Sequence, residues 1–127
     1  MPRRDQGLAV TAWTLVQSVP PGVRGEFDTR AAELGSQLAT SGLAATAAFL
    51  AAKAGPDGQV PTLAQAYRIL ADALARHLLH DPLANRNQLM VELGQLDATG
   101  YRRAGAAARE FAAWVRRAAE AIGGEQA

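Results

Sequence analysis

The stretch that decides the fold is Tyr101–Ile122, YRRAGAAAREFAAWVRRAAEAI. Its residues sort cleanly when placed at about 100° each around a helix axis. Ala104, Ala108, Phe111, Val115, Ala118 and Ile122 share one sector. Arg102, Arg103, Arg109, Arg116 and Arg117 fall in the opposite one, together with Glu110 and Glu120. The segment therefore reads as a long amphipathic helix with one side for a core and a cationic side for solvent or a partner. Arg102, Arg109 and Arg116 are seven residues apart and form a slowly drifting line. That line is about 21 Å long at the helical rise. It would run beside roughly six phosphates of a stacked strand, spaced about 3.4 Å apart. Arginine suits such a contact because its planar fork holds a phosphate through two hydrogen bonds. The plainer reading is a solvated face whose arginines pair with nearby acids. Arg116 and Glu120 have i,i+4 spacing, although in the less favourable order.

Outward from this helix, proline and glycine punctuate the chain at Pro20–Gly25, Ser41-Gly42, Gly55–Pro61, Asp81-Pro82 and Gly123-Gly124. Between these breaks apolar residues recur at three and four, the helical period, and no segment alternates as a strand does. Six helices are predicted, over about Arg4–Val19, Val23–Thr40, Leu43–Ala54, Thr62–Leu79, Asn87–Gln95 and Ala98–Ile122. Gly55 reads as a left-handed stop for the third. Thr62 and Gln65 have capping-box spacing. Asp97 is the expected N-cap of the last helix, and Gly123 its expected stop. Asp57-Gly58 reads as a turn. Short connections imply sequential helices packed antiparallel, so the expected architecture is all-α, a compact single-domain bundle over residues 1–127 with residues 124–127 frayed.

Composition agrees. The chain has 127 residues, of which 49% are hydrophobic and 20% charged, the balance of a folded domain. Alanine and leucine dominate the apolar set and favour helix over strand. Twelve of the thirteen cationic residues are arginine, a bias that a GC-rich genome also produces. Formal net charge is only +1, so nucleic-acid binding would depend on local clustering of charge. No cysteine is present, which excludes disulfides and thiolate sites. Arg3 and Arg4 ahead of the apolar Leu8–Val16 superficially suggest an export signal. Asp5 and Gln6 interrupt it and no A-x-A site follows, so a cytoplasmic protein is the simpler expectation. No run reaches the apolar length of a membrane span.

Other residues carry weaker signals. His77 and His80 share a helix side, and Asp81 would complete a metal site. No third histidine exists, and histidines ending a helix are favoured by its dipole alone. Trp13 and Trp114 lie at the edges of apolar stripes and read as core side chains. Tyr101 fits base stacking, a subunit contact, or a packing and capping role equally. Lys53 ends a helix, where a cation is favourable without any ligand. No phosphate-binding loop, Ser/His/Asp set or hydrolytic acidic cluster occurs, so neither an enzyme nor a cofactor is expected.

Two segments together resemble a known family. Residues 101–121, from Tyr101-Arg102-Arg103 to Trp114-Val115-Arg116-Arg117 and Ala119-Glu120-Ala121, are similar to the C-terminal signature of the small helical subunit of type III-B CRISPR effector (Cmr) complexes. Ser41–Lys53, SGLAATAAFLAAK, resembles that family's central segment. The likeness spans about Leu8–Ile122. Gly105 stands where the family pattern has a small hydroxyl residue. The resemblance implies an all-helical subunit without an active site. It also implies several copies stacked alongside the other effector subunits, contacting guide RNA and target RNA through their phosphates without reading sequence, in antiviral defence. Arg102, Arg103, Arg109, Arg116, Arg117 and Lys53 are the nucleic-acid-binding candidates on that basis. A helical assembly adaptor that touches only protein is the alternative, and a small metal-dependent enzyme built on His77, His80 and Asp81 is a third.

Overall fold

The computed structural model describes residues 4–56, 58 and 60–126. Six helices follow in order: α1 Arg4–Ser18, α2 Arg24–Ser41, α3 Leu43–Ala54, α4 Thr62–Leu79, α5 Arg86–Leu93 and α6 Ala98–Gln126. No strand occurs among the described residues. The helices form a compact bundle around one core, whose most deeply buried large side chains include Phe27, Leu34, Leu50, Leu70, Leu74 and Phe111.

α4 is the inner helix, touching α2, α3, α5 and α6. It buries Ala66, Tyr67, Leu70, Ala71, Ala73, Leu74 and Ala75, so apolar residues cover more than one of its sides. Alanine at four of those positions lets neighbouring helices come close. α6 lies against α1 and α2, its two principal neighbours. Its 29 residues make a rod about 43 Å long. Among the described residues no helix is long and apolar enough to cross a membrane.

The helix ends show which local signals act. α3 and α4 have the bounds their sequence predicts. Gly42 and Gly55 flank α3 with φ of +85° and +72°, backbone that side chains other than glycine rarely adopt. The Thr62–Gln65 capping box does not form. Pro61 occupies the N-cap with no side-chain bond, which places Thr62 inside the helix. Gln65 Nε2 instead donates to Val60 O at 3.2 Å. The capping box of this fold is at α5. The Asn85 side chain accepts from the Asn87 and Gln88 amides, both at 3.0 Å, and Gln88 Oε1 accepts from Asn85 N at 2.9 Å. α5 accordingly starts at Arg86, one residue before its predicted start, and ends at Leu93. Asp97 acts as expected, with Oδ1 accepting from Gly100 N at 2.7 Å. Gly123 does not stop α6. Positive φ is confined, among the described residues, to His80, Gly42, Gly55 and Gly58, so Gly123 continues the rod to Gln126. Of the residues expected to fray, Ala127 lies outside the described residues. So does Asp57 of the expected turn.

Four arginines hold connections shut. Arg24 Nη2 reaches the carbonyls of Val16, Gln17 and Val19 at 3.1–3.3 Å, closing the end of α1. Arg68 binds the carbonyls of Ala54, Pro56 and Gly58 after α3. Arg76 Nε donates to Ala84 O at 3.1 Å. Arg86 is only 6% exposed and grips both carboxylate oxygens of Asp72, at 3.1 and 3.2 Å.

Candidate nucleic-acid interface

α6 places the site. Ala108, Phe111, Val115, Ala118 and Ile122 are buried and Ala104 half-buried, as the amphipathic pattern requires. Ala112 and Ala119, outside that predicted stripe, are also buried, so the sealed side of the helix is broader than its large residues suggest. Burying this side turns the other outward. Arg102, Arg103, Arg109, Arg116 and Arg117 are all exposed.

None of the five is locked into the protein. Arg116 Nε meets Glu120 Oε1 at 3.0 Å, but both side chains are more than half exposed, at 59% and 63%. Such surface pairs contribute little and yield readily to a competing anion. The Arg117 guanidinium lies 4.9 Å from the centre of the Trp114 ring, a cation–π contact that leaves its N–H groups available. Arg102 Nη2 makes a marginal contact with Thr99 Oγ1 at 3.5 Å. Arg103 and Arg109 have no hydrogen bond or ion pair with any described residue. The chain thus divides its arginines between clamps on its own carbonyls and Asp72 and an outward face.

That face has two parts. Arg109, Arg116 and Arg117 border a cleft of about 500 Å³ between α2 and α6, whose walls include Ala32, Gly35 and Ala113. Arg103 lies on the rim of a separate, larger hollow of about 900 Å³ among α1, α4, α5 and α6, with Leu8, His77, Leu96 and Glu110. Lys53 stands apart from both. Its ammonium lies 5.7 Å from the Phe49 ring on α3, and it borders neither hollow.

The remaining sequence candidates find structural roles. Tyr101 OH accepts a 2.8 Å hydrogen bond from Ala44 N, an otherwise orphaned amide in the first turn of α3. Gly42, the N-cap of α3, has no side chain to do this, and Tyr101 caps the helix from across the bundle. His77 stacks on Phe111, with ring centres 4.9 Å apart. His80 takes the left-handed conformation that closes α4. Asp81 accepts from Leu83 N at 2.9 Å. No group of three or more acidic or histidine side chains is placed to hold a metal ion among the described residues. Trp114 is half-buried beneath Arg117 and packs against the core, whereas Trp13 is 40% exposed and lies outside the core, contrary to its sequence reading.

Sequence reasoning missed the Arg24, Arg68, Arg76 and Arg86 clamps. None of the four carried a usable signal, since carbonyl partners and the distant Asp72 leave no mark in local spacing. It also missed the contribution of α2 to the cleft, because Ala32, Gly35 and Ser36 bear no charge.

The family model described as CRISPR-associated protein (Cas_Cmr5) matches residues 4–122. No curated protein matches the chain.

Proposed function

From the premise that the chain belongs to the Cas_Cmr5 family of CRISPR-associated proteins, the small subunits of type III-B effector complexes, we propose that it is a non-catalytic subunit whose α6 arginines contact RNA phosphates. The observation that carries this reading is the outward, unlocked state of Arg102, Arg103, Arg109, Arg116 and Arg117. Five guanidinium groups share a face with two carboxylates, so the local excess is three positive charges on a protein of net charge +1. Contact with phosphates is independent of sequence, and base pairing between guide and target supplies specificity.

Other effector subunits and further copies of this chain are the proposed protein partners, in the cytoplasm. Val10, Leu83 and Val91, exposed at 66%, 86% and 61%, give apolar surface for such neighbours. One copy holding a few phosphates binds weakly, and copies fixed in a row bind together. Lys53 is an auxiliary contact in this proposal, reached only if the RNA path extends from α6 towards the end of α3.

Replacing Arg102, Arg109 and Arg116 together with alanine should weaken RNA retention by the assembled complex while the thermal melt stays that of the parent chain. Unchanged retention would remove α6 from the interface. An adaptor that touches only protein is distinguished by the isolated chain: its RNA retention would be negligible and indifferent to salt.

A further inference from the structure

The cleft between α2 and α6 has a floor that the fold itself does not require. Gly35 lies in the interior of α2. A glycine there costs roughly 1 kcal/mol relative to alanine. Close packing often explains such a residue, but no atom lies within 4 Å of the place a β-carbon would occupy at Gly35. Its backbone is helical, so no positive φ explains it either. The space above it opens into the cleft that Arg109, Arg116 and Arg117 border.

Charge and shape in this cleft agree. Three guanidinium groups face one carboxylate, Glu120, leaving two positive charges around a small, nearly side-chain-free floor. Ala113 on α6 and Ala32 and Ser36 on α2 add little bulk, and the exposed Ser36 hydroxyl can both donate and accept. Guanidinium forks recognise phosphate oxygens bidentately. A cleft of about 500 Å³ admits a short segment of one strand, not a duplex. Glu120 is the internal competitor, held on Arg116 at 3.0 Å until an anion displaces it.

We infer that the α2–α6 cleft seats a short sugar–phosphate segment of single-stranded RNA against Gly35, with Arg109, Arg116 and Arg117 as the phosphate clamps. The inference rests on the reading of the α6 arginines as an RNA contact and narrows it to one groove. Arg102 and Arg103, both N-terminal to the cleft on α6, then guide the strand beyond it and do not clamp it.

The test uses the full chain and a fluorescein-labelled oligouridine, read by fluorescence anisotropy at several salt concentrations. Gly35→Ala should raise the melting temperature, since it adds helix propensity, and weaken binding by a smaller factor than leucine, since its one methyl group narrows the floor. Gly35→Leu should melt at or above the parent temperature yet bind about tenfold more weakly. Its log affinity should also depend on log salt less steeply by about 1.4, the share of two single-strand phosphate contacts. Should Gly35→Leu fail to fold, Ala32→Leu on the exposed side of the same floor gives the equivalent obstruction. Full affinity in the leucine variant, with loss in Arg109→Ala/Arg117→Ala, would overturn the cleft and leave the arginine face standing. Full affinity in both would overturn the arginine face as well. A leucine variant that loses effector subunits but keeps oligouridine would make the cleft a protein contact. Equal competition by duplex RNA would overturn the single-strand assignment.

Discussion

Arg86 on α5 and Arg116 on α6 illustrate how differently one chain uses the same side chain. Arg86 is 6% exposed, and Asp72 neutralises it through two contacts. Removing one member of such a pair leaves the other charge buried and alone. Asp72→Ala is therefore expected to lower the stability in urea unfolding by about 3 kcal/mol. Arg116→Ala, which breaks only an exposed pair, should stay within about 0.5 kcal/mol of the parent. Equal effects would mean that the two populations of arginine are not distinct. A second buried polar atom acts in the opposite direction. The Thr46 hydroxyl is buried on α3 without a hydrogen bond. Thr46→Val removes that unsatisfied group at similar volume and should raise stability by about 1 kcal/mol in the same assay. At this scale the outward arginines of α6 were legible in the sequence, because a helical wheel separates them from Phe111 and Val115. The inward ones were not. Arg24 and Arg68 bind carbonyls, and backbone carbonyls leave no mark in a list of residue types.

The crossing of α2 and α6 brings a carboxylate under a helix end. Asp28 shares a hollow with Arg116, Glu120 and Gly123, and an ideal β-carbon on Gly123 would lie 3.1 Å from Asp28 Oδ2. Asp28 Oδ1 is buried without a hydrogen bond. Burial pushes its carboxyl above the ordinary value of 3.8, against the opposing pull of the Arg24 guanidinium. The folded protein thus favours the protonated acid, and the unfolded chain titrates normally. Such a group supports folding below the unfolded pKa and withdraws that support as pH rises through the folded one. Asp28→Asn should accordingly melt higher than the parent at neutral pH, with the gap closing below about pH 4. A gap that persists in acid would assign the effect to something other than ionisation. The first turn of α3 gives a second element-scale prediction. Tyr101→Phe deletes the acceptor for Ala44 N and should cost about 1 kcal/mol, read by denaturant unfolding. Helices α3 and α4 could be bounded from sequence because glycine and proline flank them. The cap of α5 was harder, since the predicted helix begins at Asn87, two residues after the Asn85 that caps it. Gly123 misled for the reverse reason: a helix packed against its neighbours carries a glycine that an isolated helix would end on.

For the molecule as a whole, net charge and local charge predict different solution behaviour, and salt separates them. A body of net charge +1 acting as a uniform weak cation would give a log–log slope no steeper than about −0.7 for single-stranded RNA. An α6 face that neutralises three to five phosphates gives about −2 to −3.5. The arrangement of α6 decides between these, because packing against α1 and α2 seals its apolar side and leaves its arginines on the outside. The slope of the isolated chain should therefore lie in the steeper range. Replacing Arg102, Arg109 and Arg116 with alanine should make it shallower by about 2, the share of three contacts. Copies held in register on one RNA add their contacts, so two adjacent copies should double the slope as well as raise the affinity. A filter-binding series against salt, on the isolated chain and on the assembled complex, measures all three quantities. A slope near −0.7 in the isolated chain, or one that the alanine variant leaves unchanged, would mean that the local field of α6 is not what RNA meets.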